Sequence, residues 1–149
     1  APRTPHPLPR YDDVVAEVAA FLRQRVALAV EHGIPLERII VDPGHDLNKN
    51  TLQTLELTRR LDELTDLGLP MLVALSNKDF VGESLGRERD QRVAGSLAAA
   101  VYCVLHGARI VRVHNVRESV DALRMVEAIL GWREPVFLRH NMSPEEEDA

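Results

Sequence analysis

Three short apolar stretches, separated by longer amphipathic segments, constrain the fold of this 149-residue chain more than any other feature. The stretches cover residues 39–41, 71–75 and 108–114. Each has apolar residues at successive positions, which is typical of strands buried on both faces of a parallel sheet. Strands that alternate with helices through short linkers form such sheets with right-handed crossovers. The sequence therefore predicts an α/β fold in the order α-β-α-β-α-β-α, with parallel strands and flanking helices.

Start and stop signals of helices surround the apolar stretches. The first helix is expected to begin at Asp12 or Asp13, either of which can cap it, and to end at Gly33. The remaining helices are expected at about residues 50–67, 91–106 and 115–130. Residues 115–118 resemble a capping box, with Asn in place of Ser or Thr, at the start of the last one.

Two further expectations concern the packing of these segments. Residues 81–90 contain glycines and several charges, and this composition predicts a mobile loop. Apolar residues at helical spacing face the core of a protein, because they fall on one side of the helix. The core-facing positions expected on the last three helices include Leu52, Leu105 and Ile129.

The two ends of the chain differ from its middle. Residues 1–10 contain four prolines, which predicts an irregular lead-in. Residues 132–149 are expected to form a tail whose acidic end, residues 145–148, is solvated and disordered. The α/β unit itself should occupy residues 11–131.

Charge and composition exclude several classes of partner. The formal net charge is −5, and the acidic run at residues 145–148 contributes four of these negative charges, so the remainder carries only −1. The basic surface that nucleic-acid binding needs is therefore absent, and no nucleic-acid partner is expected. No apolar run of about 18 residues is present, so no membrane partner is expected. The single cysteine, Cys103, is expected to have a packing role, and the lack of a disulfide framework predicts a cytoplasmic location.

Polar residues follow each apolar stretch at its carboxyl end. Asp42 follows the first, residues 76–78 (Ser-Asn-Lys) follow the second, and the third contains Arg112 and His114. Ligand sites of parallel α/β folds lie at the carboxyl ends of the strands. We therefore expect Asp42, Lys78, Arg112 and His114 to converge on one cleft.

The chemistry of these residues points to an anion. Arg112 and His114 are two positions apart and so project from the same face of a strand. An arginine in an apolar strand needs a negative partner, which is either a carboxylate of the protein or a phosphate-like ligand. Plainer roles stay open for the other two, because Asp-Pro-Gly is a common turn and a lysine is often solvated. A metal site at residues 45–46 beside Asp42 is a weaker alternative.

Three motifs together resemble those of dihydropteroate synthases. They are Asp-Pro-Gly at 42–44, Ser-Asn-Lys at 76–78 and Arg-Val-His-Asn at 112–115, with these separations. The resemblance covers roughly residues 11–131 and implies the C-terminal half of that family's (β/α)₈ barrel. Because such a barrel needs about 250 residues, we expect an N-terminal half of about 100–150 residues to be missing from this sequence.

The resemblance also implies ligands and residue roles. The family joins a pterin pyrophosphate to p-aminobenzoate in folate synthesis, with Mg²⁺ on the pyrophosphate. Asp42 matches the aspartate that pairs with the pterin ring edge, and Lys78 matches the lysine that contacts the ring. Arg112 and His114 match the pair that holds the pyrophosphate. The resemblance further implies a homodimer, and no metal ligand is expected within this segment.

Several residues depart from the family pattern on the aminobenzoate side. His45 stands where the family has an aromatic residue, Asp46 replaces a glycine, and Leu47 replaces a phenylalanine. Asn77 replaces an arginine and Asp79 replaces a serine at a helix start, where an aspartate can also act as the N-cap. The last two changes alter the local charge by −2, and charges about 4 Å apart interact by roughly 4 kcal/mol at an effective dielectric near 20, so a substrate carboxylate should be repelled.

We therefore predict a diverged, second-copy homologue of the kind found in actinobacteria, with little or no normal synthase activity. It should retain the pterin and pyrophosphate half-site and have an altered aminobenzoate subsite at Leu47, Asn77 and Asp79. Three alternatives stay open. They are an active dihydropteroate synthase, a non-catalytic protein that binds a pterin or a phosphate ligand, and a pterin-dependent methyltransferase of the same superfamily.

Overall fold

The computed structural model describes residues 10–141 and contains five α-helices and two short strands. The predicted lead-in, apart from residue 10, and the predicted acidic end lie outside the described residues. The elements, in chain order, are α1 (Val14–Glu31), α2 (Thr51–Arg59), β1 (Leu72–Val73), α3 (Asp79–Leu85), α4 (Val93–Leu105), β2 (Ile110–Val111) and α5 (Val116–Ile129). Short 3₁₀ helices lie at Leu36–Arg38, Leu61–Leu67 and Arg89–Gln91.

The sheet is parallel, as predicted, but its ladder is shorter than the three apolar stretches. Val41 forms an isolated parallel bridge with Met71, and β1 pairs with β2 in the register Leu72 to Ile110 and Val73 to Val111. Backbone bonding continues as far as the N–H of Arg112, which donates to the carbonyl of Val73 at 2.9 Å. The N–H of His114 then donates to the hydroxyl of Ser76, at 3.3 Å, and not to a backbone carbonyl. The predicted parallel pairing is therefore right and the predicted strand lengths are wrong.

The core lies between the sheet and α1, α2 and α3. Its largest fully buried apolar side chains are Leu57, Leu61, Leu64, Met71 and Leu75. The predicted cap of α1 is confirmed, because the carboxylate of Asp13 accepts hydrogen bonds from the N–H groups of Val15 and Ala16. Cys103 is completely buried, which confirms its packing role.

Helix α3 covers the first half, residues 81–85, of the segment 81–90 that was predicted to be a mobile loop. Phe80 and Val81 are buried and anchor the helix to the core. The guanidinium of Arg92 packs against Gly82 and occupies the space that a β-carbon there would fill. Burial of Phe80 and Val81 thus stabilises a helix here, although glycine disfavours a helix interior.

Other local expectations were also wrong. The single helix expected at residues 50–67 is divided at Arg60 into α2 and a 3₁₀ helix. Asn115 makes no side-chain capping bond to α5, so the expected capping box is absent. Leu52, Leu105 and Ile129 are exposed, and Ile129 retains 71% of its accessible surface. Helix α4 instead buries the small residues Ser96, Ala100 and Cys103, which permit a closer approach than the predicted large apolar side chains.

Candidate functional site

Three of the four residues that were expected to converge lie around one cavity. Lys78, Arg112 and His114 line a space of about 350 Å³ together with Ala74, Ser76 and Val113. The cavity lies just beyond the carboxyl ends of β1 and β2, where ligands of parallel α/β folds are bound. We call it the anion cavity, since all three of its ionisable side chains are basic.

Arg112 has no carboxylate partner within residues 10–141. Its backbone N–H donates to the carbonyl of Val73, at 2.9 Å, and this bond places the residue directly beyond the ladder. The alternative of a structural salt bridge, which the sequence left open, is therefore not observed in the described part of the chain. The guanidinium remains available to an anionic ligand.

Ser76 is a site residue that the sequence reasoning did not assign. Its side chain is buried, and its hydroxyl lies 3.0 Å from Nδ1 of His114 while also accepting the backbone N–H of that residue. Two contacts from one hydroxyl hold the imidazole at the edge of the anion cavity. The available signal was the position of Ser76 at the end of an apolar stretch, beside a strand that carries a histidine.

Asp42 does not line the anion cavity, so the expectation of one common cleft is wrong for this residue. Its carboxylate accepts the N–H of Gly44 at 2.8 Å, which is the turn-forming role that the sequence left open. It lines a neighbouring cavity of about 480 Å³ with Phe21, Leu47 and Lys49 among others. Its negative charge nevertheless acts to raise the pKa of Lys78, so the two residues are close enough to interact.

Lys78 is half-buried and stands between the two halves of the site. Its Nζ donates to the carbonyl of His45. Burial lowers the pKa of Lys78, and the positive charge of Arg112 adds to this, while the carboxylates of Asp46 and Asp42 oppose it. Lys78 also lines a further cavity, which is distinct from the anion cavity and from the one beside Asp42.

This further cavity is lined by the residues that were predicted to alter the aminobenzoate subsite. It has a volume of about 290 Å³ and is lined by Asp46, Leu47, Asn77, Lys78, Asp79 and Arg89. The side chain of Leu47 is largely exposed there. We call this space the Asp79 cavity. Lys78 lines both cavities, so ligands bound in them would meet at this residue.

The charge of Asp79 is compensated, which the sequence reasoning did not foresee. Arg92 donates to the carboxylate of Asp79 at 2.9 Å and to the carbonyl of Asn77 at 3.1 Å. The repulsion expected from a local charge change of −2 is therefore smaller, because Asp79, one of the two altered residues, is paired with Arg92. The expectation that Asp79 caps a helix is also wrong. Lys78 occupies the N-cap position of α3, and Asp79 is its first residue.

His45 lies beneath the site, completely buried, and neither ring nitrogen has a hydrogen-bond partner in the structure. Burial lowers its pKa to about 3, and the positive charges of Lys78 and Lys49 contribute. The imidazole is therefore neutral near pH 7.

Within residues 10–141 no group of three or more His, Cys, Asp or Glu side chains could hold a metal ion. The metal alternative at residues 45–46 therefore has no such cluster behind it in the described part of the chain.

These features define a class of protein: a parallel α/β unit with a cluster of basic side chains at the carboxyl ends of its strands, the edge at which such folds bind their ligands. No helix among residues 10–141 is long and apolar enough to cross a membrane.

Comparisons with known proteins identify the family. The family model described as pterin binding enzyme matches residues 1–114. Dihydropteroate synthase of Escherichia coli K12 is 41% identical over 133 residues, which is 89% of this chain and 47% of that protein. Inactive dihydropteroate synthase 2 of Mycobacterium leprae is 44% identical over 124 residues, 83% of this chain and 41% of that protein. The chain therefore belongs to the pterin-binding enzyme family, among the dihydropteroate synthases, and spans about half the length of these relatives.

Solved structures of dihydropteroate synthases support the same family assignment. Dihydropteroate synthase from Xanthomonas albilineans in complex with 7,8-dihydropteroate aligns with a TM-score of 0.81 and 45% identity over 83% of this chain and 48% of that one. The same protein with 4-aminobenzoic acid aligns with a TM-score of 0.81 and 43% identity over 86% and 47%. The predicted fold class, an α/β chain that forms half of a (β/α)₈ barrel, is confirmed.

Proposed function

We propose that this chain carries the pterin and diphosphate half-site of a dihydropteroate synthase homologue whose aminobenzoate half-site is altered. The observation that carries the proposal is the arrangement of two cavities that share Lys78. One is lined by the basic residues Lys78, Arg112 and His114, and the other by the residues that depart from the family pattern. Synthase activity is expected to be weak or lost.

The anion cavity suits a diphosphate for electrostatic reasons. Phosphate oxygens are recognised best by a guanidinium that can donate two parallel hydrogen bonds, and Arg112 is free to do so in the described part of the chain. His114, held by Ser76, adds a second donor on the same wall. Lys78 lies between this cavity and Asp42, where it would contact the pterin ring as the resemblance implies. Mg²⁺, on this proposal, is bound by the diphosphate oxygens, and the homodimer remains a proposal from the resemblance.

The altered half-site supports the loss of activity. Asp46 and Asp79 bring two carboxylates to the wall of the Asp79 cavity, and only that of Asp79 has an ion-pair partner within residues 10–141. An acceptor with its own carboxylate would meet the carboxylate of Asp46 there, although Lys78 and Arg89 line the same cavity. The M. leprae relative, which is described as inactive, is consistent with such divergence. A non-catalytic pterin-binding protein is the second candidate, because the anion cavity is intact whether or not turnover occurs.

Calorimetry with dihydropterin diphosphate tests the half-site. Replacing Arg112 with alanine removes the charge-assisted bonds to the ligand and should weaken binding by roughly tenfold to a hundredfold. Arg109 is the matched control, since it lies at the other end of β2, is exposed and does not line the anion cavity. Arg109→Ala should leave the affinity unchanged.

Unchanged binding by Arg112→Ala would contradict the anion-site assignment. A turnover assay with dihydropterin diphosphate and 4-aminobenzoate separates the two candidates from an active enzyme. Rates close to those of working synthases would refute the proposed loss of activity. Tight binding without turnover would favour the non-catalytic protein.

A further inference from the structure

We propose that Asp46 is a specificity-determining residue, which closes the Asp79 cavity to acceptors that carry a carboxylate. This inference rests on the proposed function and assigns to one side chain the alteration of its second half-site. Asp46 belongs to a segment, residues 44–49, that follows the Asp42 turn. We call this segment the Asp46 loop.

Two contacts join the Asp46 loop to the Lys78 turn, although 33 residues separate the partners in sequence. The carboxylate of Asp46 accepts the backbone N–H of Asp79 at 2.8 Å. The Nζ of Lys78 donates to the carbonyl of His45. The Lys78 turn therefore supplies both donors and the Asp46 loop both acceptors, and these bonds hold the loop against the turn at the Asp79 cavity.

The backbone of Asp46 shows that the side chain is placed there against a local preference. Its φ is 64°, a left-handed conformation that suits glycine and is disfavoured for residues with a β-carbon. The N–H of Asp46 donates to Oγ1 of Thr54 at 3.2 Å, which fixes this geometry from the side of α2. A strained residue whose side chain bridges to another element is the pattern expected where the contact has a role.

The bond from the N–H of Asp79 to Asp46 occupies a backbone donor on the wall of the Asp79 cavity. The N–H of Asp79 is the kind of group that binds a ligand carboxylate, and in this chain it is already bound to Asp46. Asp46 also places a negative charge on this wall, and it forms no direct ion pair within residues 10–141, although Lys78 and Arg89 line the same cavity. An incoming carboxylate would have to displace Asp46 and overcome its repulsion. An acceptor with an uncharged group at that position would have to do neither.

Glycine is the informative replacement at position 46, because it adopts the observed φ without strain and removes only the carboxylate. Asn48 provides a matched control. It has a φ of 53° in the same loop, so Asn48→Gly makes the same backbone change and leaves Asp46 in place. Asp46→Asn is a third variant, which keeps an oxygen acceptor and removes the charge. All three are made in the full 149-residue chain.

Two measurements are made on each variant. Amide hydrogen exchange at Asp79 reports whether the bond to Asp46 exists. Calorimetric titration of 4-aminobenzoate and of its uncharged analogue 4-aminobenzamide, each with and without saturating dihydropterin diphosphate, reports specificity. We expect Asp46→Gly to speed exchange at Asp79 and to strengthen binding of 4-aminobenzoate by about tenfold, with 4-aminobenzamide unchanged. Asp46→Asn should show slow exchange and an intermediate gain, and Asn48→Gly should resemble the wild type.

The inference is overturned if exchange at Asp79 is the same in Asp46→Gly and the wild type, since the contact would then be absent. It is also overturned if exchange accelerates but 4-aminobenzoate gains no affinity over 4-aminobenzamide, including the case in which no variant binds it measurably. Failure of dihydropterin diphosphate to bind the wild-type chain would refute the proposed function instead. The titrations without it still compare the two acceptors in that case.

Discussion

The buried histidine beneath the site makes stability depend on pH in a way that one substitution should abolish. His45 has no hydrogen-bond partner for either ring nitrogen, and its pKa is lowered from 6.5 to about 3, chiefly by burial. The unfolded chain binds a proton at this residue below about pH 6.5, whereas the folded chain does not until about pH 3. The free energy of unfolding therefore falls as the pH falls through this window.

The magnitude follows from these two pKa values. The slope approaches about 1.4 kcal/mol per pH unit once the histidine is fully protonated in the unfolded chain. Between about pH 7.5 and pH 5.0 the accumulated loss is about 2 kcal/mol. Asp13 and Glu63, whose pKa values are lowered by hydrogen bonds, destabilise the fold only at lower pH, since their ordinary values are 3.8 and 4.5. The interval above pH 5 therefore isolates the histidine.

Urea unfolding at several pH values measures this effect. His45→Phe keeps a ring in the buried space and removes both unpaired nitrogens, so its stability should lose about 2 kcal/mol less than the wild type over the same interval. His140→Phe is the matched control, because His140 is exposed, and it should behave like the wild type. If His45→Phe and the wild type lost stability in parallel, the neutral buried imidazole would be disproved.

Two further predictions concern the residues that hold the site. Arg92→Met removes the bonds to Asn77 and Asp79 and should cost about 1–2 kcal/mol in urea unfolding, while Arg87→Met, at an exposed position, should cost far less. Equal losses would show that Arg92 does not position this turn. Ser76→Ala should release the imidazole of His114, which ¹⁵N NMR would detect as a change in the chemical shifts of the ring nitrogens, and should weaken binding of dihydropterin diphosphate by several-fold. Ring shifts that match the wild type would remove Ser76 from the site.

Much of this arrangement could be predicted from sequence because its signals are local. The alternation of apolar stretches with helical segments predicted the parallel α/β order, and apolar residues at successive positions predicted a sheet covered on both faces. The polar residues at the ends of these stretches predicted that Lys78, Arg112 and His114 share a cavity, because parallel strands end at one edge of a sheet. The three motifs together were specific enough to predict the family, which the comparisons confirm.

The tertiary structure alone decided which partner each polar group takes. Arg92 compensates Asp79, and Asp46 reaches the N–H of Asp79, both through contacts between segments whose distance in sequence does not predict them. Helix α3 likewise forms where the sequence suggested a loop, because Phe80 and Val81 are buried in the core. Periodicity reports which residues avoid water, since burial of apolar surface is not directional. Hydrogen bonds and ion pairs depend on distance and angle, and these are defined only once the elements have packed.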